Sequence, residues 1–146
     1  MLKIAVVDGM GGGIGSQLIS QLRQELENEL EIIALGTNST ATTIMIKSGA
    51  NRGATGENAI RVNLKNVDCV IGPIGIIIPD ALMGEITKDI AQEIMSQNCR
   101  KILLPIHQLH IELIGLENRP LNQVIKDAVL HIRKIQQEKA SGTRGD

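Results

Sequence analysis

The chain has 146 residues, 15 basic against 16 acidic side chains, a net charge of −1, and no Phe, Tyr or Trp. Its length allows one domain with a real core but not a dinucleotide fold plus a substrate domain, so a second lobe would have to come from another copy in a homo-oligomer. The interspersed charge leaves no footprint for nucleic acid or an anionic membrane, and the absence of Phe, Tyr and Trp means that none of these rings can stack on a base, flavin or nicotinamide and no Tyr can serve as a general acid.

The first element is a buried strand in Leu2–Leu18, LKIAVVDGMGGGIGSQL, whose β-branched run ends at Asp8. Five glycines follow within seven residues (Gly9, Gly11, Gly12, Gly13, Gly15), and Ile14, Leu18, Leu22 and Leu26 then mark the inner stripe of a helix reaching about Asn28. Strand, glycine loop and helix N-terminus together make an anion site, most often for phosphate. The dinucleotide pattern G-x-G-x-x-G is approached but not met: counted from Gly11 its last place is Ser16, and from Gly9 it is Ile14. No Lys follows before Lys47, which excludes a Walker A loop. A carboxylate at Asp8 would repel a bare phosphate unless Mg²⁺ or a sugar hydroxyl lay between them, and its plainer role is to cap the turn. The glycines could likewise serve only tight strand-to-helix packing.

A second buried strand covers Glu31–Gly36, followed by Thr37-Asn38-Ser39-Thr40, a cluster of cap residues, and a helix to Lys47 that stops at Gly49. Dinucleotide folds place Asp or Glu after this strand to hold the ribose 2′-hydroxyl; Thr37 and Asn38 suit a 2′-phosphate better, and helix capping is the simpler reading for Thr37 and Ser39. Residues 49–58, GANRGATGEN, read as a polar loop offering Gly53, Thr55, Gly56, Glu57 and Asn58 at the ligand edge, or as a solvated loop. A third strand, Val67–Gly72, runs into the apolar turn Pro73–Pro79 with Gly75 at its centre, which must either pack under the domain or form a contact surface. Asp80 can cap a short turn over 81–85, and Thr87 a helix whose inner face is Ile90, Ala91, Ile94 and Met95. Arg100–Ile106 reads as a fourth strand and His110–Gly115 as a fifth.

His107, His110 and Glu112 have only weak metal-ligand spacing and read more simply as structural histidines. Asn118, Pro120 and the stripe Leu121, Val124, Ile125, Ala128, Val129, Ile132, Ile135 describe a long amphipathic helix, leaving a domain over 1–139 and a disordered tail over 140–146. Cys69 and Cys99 lack disulfide or zinc spacing, and the chain shows neither a membrane span nor a signal-peptide pattern, so a cytoplasmic protein with reduced thiols is expected.

The segments DGMGGGIG (8–15), ALGTN (34–38), GANRGATGENAI (49–60) and IGPIGI (71–76) resemble a bacterial family of conserved domains of unknown function, over nearly the whole chain to about Lys134. That resemblance implies which segments the family motif occupies, Gly72 and Gly75 among them, and no activity. In the order of a glycine-rich first loop, Asn38 after the second strand, and Arg52-Gly53-x-x-Gly56, the chain is also similar to the nucleotide domain of tubulin and its bacterial relatives. Only Gly72-Pro73-Ile74-Gly75 stands where those proteins carry a later glycine signature, and the lobe reaching the next subunit's nucleotide is missing.

The expectation is a three-layer, Rossmann-like α/β domain with a mainly parallel sheet. Its site would bind a nucleotide or dinucleotide, NAD(P) included, through Asp8, Gly9 and Gly11 to Gly15, with Thr37, Asn38, Gly53, Thr55 to Asn58, Gly72 and Gly75 around the ligand. Alternatives are a regulatory or scaffolding oligomer assembled through residues 74–78, and an NADP-linked reductase. No catalytic residue emerges.

Overall fold

The computed structural model describes residues 1–106 and 110–142. Five strands, β1 (Leu2–Asp8), β2 (Leu30–Gly36), β3 (Arg52–Thr55), β4 (Cys69–Pro73) and β5 (Arg100–Leu104), alternate with α1 (Gly13–Leu26), α2 (Ser39–Lys47), α3 (Glu57–Asn63) and α4 (Lys88–Ser96), and α5 (Leu121–Ala140) closes the chain. The sheet order is β3-β2-β1-β4-β5, and every pairing is parallel. The chain therefore steps outward from β1 to β3, then crosses back to β4 on the other side of β1. This reversal falls at the carboxyl ends of β1 and β4, the kind of edge at which open α/β sheets meet their ligands.

The central strands are apolar almost throughout because both faces are covered. Ile4, Val6, Ile32 and Ile71 face α1, α2 and α5, packing with Leu18, Leu22, Met45, Val129 and Ile132. Ala5, Val7, Ile33 and Val70 face α3 and α4, with Ile60, Ile76, Ile90 and Ile94. The layers are thus helix, sheet, helix, as the alternation of elements predicts. At the amino edge, Arg23 donates to the carbonyls of Gly49 (2.7 Å), Glu27 (2.8 Å) and Leu30 (2.9 Å) and to Asn51 Oδ1 (2.6 Å). Burial pushes the Cys69 thiol up to about 11, leaving it protonated and inert.

Several local expectations change. Residues 52–55 form an edge strand, unreadable from pattern because both its faces are largely open; it is short and carries Arg52, paired with Glu31 at 2.7 Å, which blunts the edge. Residues 110–115 form turns and irregular chain instead of a fifth sequence-predicted strand: their alternation finds no neighbour to pair with, and the whole stretch is exposed, Glu112 included. His110 has φ of 64°, which a strand does not admit. Met95 is 50 % exposed, lying beyond the arc of Ile90, Ala91 and Ile94. The apolar turn packs inward as a single 3₁₀ turn, Ile74–Ile77, with Gly75 and Ile76 buried. His107 and the tail residues 143–146 lie outside the described residues, and Ala140 belongs to α5. Among the described residues no group of His, Cys, Asp and Glu is placed to hold a metal ion, and no helix is long and apolar enough to cross a membrane.

Candidate functional site

β1 carries Asp8 to the carboxyl rim, where the side chain is only 3 % exposed. One carboxylate oxygen accepts the Gly9 N–H and the other the Gly15 N–H, both at 2.8 Å. The charge is thus turned onto the first turn of α1, where it complements the positive end of the helix. Gly12, at φ 72°, folds the loop back with its N–H on the Gly9 carbonyl (2.9 Å). A Cβ there would lie 2.6 Å from Ile44 and 2.9 Å from Ala41 of α2, and one at Gly15 would strike Met45. These two glycines are set by packing.

Gly11 and Gly13 are different. Both are exposed, neither has a positive φ, and a Cβ on either meets nothing within 4 Å. The N–H groups of Gly11, Gly13 and Ile14 have no acceptor among the described residues, whereas those of Gly9, Met10, Gly12, Gly15 and Ser16 are bonded within the protein. No acidic residue stands in the first turn of α1.

β2 delivers Gly36, Thr37 and Asn38 to the same rim. Asn38, rather than Thr37 or Ser39, caps α2, its Oδ1 accepting the Ala41 N–H at 2.8 Å. Its Nδ2 donates to the Met10 carbonyl (2.9 Å) and to Glu85 Oε1 (2.7 Å). The same Glu85 oxygen accepts from Thr37 Oγ1 (2.5 Å) and from the Met10 N–H (2.9 Å). The amide and hydroxyl that the sequence offers to a 2′-phosphate are therefore both spent on a carboxylate from the segment after β4. Burial alone would raise the Glu85 carboxyl, but the bonds from Thr37, Met10 and Asn38 outweigh it and hold it below the usual glutamate range.

The remaining sequence-predicted residues are scattered. Gly56 donates to the Gly36 carbonyl (2.9 Å), beside the rim, and Thr55 Oγ1 donates to Thr42 Oγ1 (2.7 Å). Gly53 lies under Ile46, Glu57 accepts from Thr87 Oγ1, and Asn58 accepts from Arg61 on the outer surface. Gly72 is buried against the Val7 carbonyl and Gly75 beneath Ala81 and Leu82. An open recess of about 460 Å³, lined by Ser39, Thr40, Thr43, Ile44 and Lys47, runs along α2, and Ile44 is also the side chain against Gly12. Glu85 is the residue that sequence reasoning missed. Its only advance signal is the lack of an acid after β2, which leaves that place open to one from elsewhere.

A family model described as a domain of unknown function, DUF3842, matches residues 3–137. The chain belongs to this family. Members carry no assigned activity to transfer, and no protein of curated function matches the sequence. Among solved structures, the chain is similar to an arsenate reductase in its phosphate-binding state (15 % identity, TM-score 0.45, covering 94 % of this chain and 98 % of that one). It is also similar to a dodecameric FMN-dependent UbiX-like decarboxylase from Escherichia coli O157:H7 (18 %, 0.41, 92 % and 76 %) and to a universal stress protein from Archaeoglobus fulgidus (14 %, 0.40, 70 % and 97 %). At such identities these are likenesses of fold.

Proposed function

We propose that the protein binds a phosphate-bearing nucleotide or dinucleotide at the loop between β1 and α1, through the N–H groups of Gly11, Gly13 and Ile14. The observation that supports this most is that Gly11 and Gly13 are glycines the fold does not need, flanking open N–H groups at the positive end of a 14-residue helix. A glycine with neither a steric nor a conformational reason is what close approach of a ligand to backbone would select. Asp8 does not oppose an anion in this reading, because its charge is already turned onto Gly9 and Gly15. Met10, Thr37, Asn38 and Glu85 form the wall toward β2.

Titration calorimetry of the folded protein with ATP, GTP, NAD, NADP and their mononucleotides tests the reading, and silence from all of them overturns it. Gly11→Val and Gly13→Val should each weaken binding at least about tenfold while leaving unfolding free energy within about 1 kcal/mol of the parent, since their side chains enter empty space. Gly12→Val is no such probe: its side chain would strike Ile44 and Ala41 at a backbone angle that valine resists.

We also infer a homo-oligomer, supported by the exposed apolar residues Ile111, Leu113, Ile114 and Leu116 between β5 and α5. The 74–78 turn, packed inward, offers no comparable surface. The free cysteines Cys69 and Cys99 fit a reducing, cytoplasmic setting.

A further inference from the structure

The place after β2 where dinucleotide folds carry their ribose-binding acid is filled here from a different part of the chain. Glu85 lies 49 residues beyond Gly36 in sequence, yet its Oε1 meets donors from Met10, Thr37 and Asn38, and it would lie 3.0 Å from a Cβ built on Gly9. Three donors on one oxygen fix the carboxylate. Its other oxygen, Oε2, has no partner among the described residues, and the side chain is only partly buried. Met10 N–H serves Glu85 while the next N–H along the chain, that of Gly11, has no acceptor among the described residues. The N–H that anchors the carboxylate and the first N–H without an acceptor among the described residues therefore stand on consecutive residues, Met10 and Gly11.

The backbone that delivers Glu85 is unusual. Asp80 (φ 69°), Leu82 (54°) and Met83 (56°) take left-handed conformations, as does Gly84 (88°). L-residues resist that region, and runs of it persist only where surrounding bonds impose them. Here Asp80 N–H donates to the Ile86 carbonyl (2.7 Å) and Ile86 N–H to the Ala81 carbonyl (3.2 Å), closing the turn on itself, while Leu82 packs toward Gly9 and Gly75. A turn needed only to join β4 to α4 has no reason to wind this way. One that must set a carboxylate over the end of β2 does.

From this arrangement we propose that Glu85 is a specificity residue: Oε2 accepts the hydroxyls of a ribose whose phosphate lies on the glycine loop, so that the site takes ribose phosphates with a free 2′,3′-diol and rejects a 2′-phosphate. This rests on the glycine-loop reading above and reverses the preference for a 2′-phosphate drawn from Thr37 and Asn38 in the sequence. A carboxylate repels a phosphate at hydrogen-bond distance, whereas a hydroxyl donates to it.

The test is titration calorimetry of the whole chain and of Glu85→Gln with AMP and GMP, their 2′,3′-dideoxy forms, and adenosine 2′,5′-bisphosphate. Glutamine keeps a carbonyl oxygen for Met10, Thr37 and Asn38 and replaces the second acceptor by a donor, so it removes the proposed contact with little disturbance of the turn. A cooperative thermal transition checks that Glu85→Gln is folded, and Glu85→Asp, which keeps the charge but shortens the reach, provides a second variant. In the wild type the ribonucleotides should bind about tenfold to a hundredfold more tightly than the dideoxy forms and than the 2′,5′-bisphosphate. Glu85→Gln should lose both preferences while holding the dideoxy forms as well as the wild type does. Equal wild-type affinity for ribose and dideoxyribose forms overturns the role of Glu85 alone. Tighter binding of every phosphate to Glu85→Gln also overturns it, since the carboxylate would then be an occupant the ligand must evict. No binding of any nucleotide to the wild type overturns the glycine-loop reading and this one with it.

Discussion

Asp8 and Glu85 bring two carboxylates to one rim and use them in opposite ways. Asp8 is sealed in, with both oxygens serving the turn it starts; Glu85 is held by one oxygen and keeps the other. The hold on Glu85 has a consequence for acid stability. Its carboxyl lies below the ordinary value near 4.5, because the bonds from Thr37, Met10 and Asn38 outweigh the opposing effect of burial. A depressed folded-state value contributes stability that is complete above the ordinary range and is lost as pH falls through the lower folded value. Asp68 behaves alike: burial opposes ionisation there, and Lys139 and the Lys3 N–H prevail. Urea unfolding followed from about pH 6 to about pH 3 should therefore show stability falling with acid, and Glu85→Gln should fall less steeply. Identical slopes for the two proteins would show that the Glu85 contacts contribute nothing to the folded state.

The five strands and five helices differ in how openly the sequence declares them. Leu2–Asp8, Leu30–Gly36 and Cys69–Pro73 are apolar runs because both their faces are covered, and α1 and α5 show their stripes because one face is buried against the sheet. β3 lacks such a run, since an edge strand with open faces needs no apolar residues. His110–Gly115 misleads in the other direction, because alternation signals a strand only where a neighbour exists to pair with it. Of the site, the glycine loop and the end of β2 were legible as local patterns. Glu85 was not, because its contacts with Thr37 and Met10 span 48 and 75 residues and leave no local trace. The apolar turn Ile74–Ile77 admitted two readings until its packing was known. With Ile76 fully buried among Val7, Val70 and Ile90, Ile76→Ala should cost about 2–5 kcal/mol in chemical denaturation. A cost below about 1 kcal/mol would mean that the turn does not belong to the core.

At the scale of the whole molecule, the amino edge is tied by Arg23 and by the Asp68 bonds to Lys139 and Lys3, while the carboxyl edge carries the tightly wound turn and the N–H groups that have no acceptor among the described residues. An apolar surface outside that plan lies on the stretch between β5 and α5, where Ile114 is 96 % and Leu116 58 % exposed. Sedimentation velocity should find an oligomer that the double substitution Ile114→Ser, Leu116→Ser converts to monomer with the fold intact. A wild-type chain that stays monomeric at all concentrations removes that surface from consideration.

The core is filled by Ile, Leu, Val, Ala, Met and Cys69, with no Phe, Tyr or Trp anywhere in the chain. The folded protein is consequently almost dark in the near ultraviolet, contributing neither indole nor phenol absorbance. Any purine, flavin or nicotinamide carried through purification would stand alone in the spectrum, so that the chain's own optical silence turns a simple absorbance scan into a sensor for its guest.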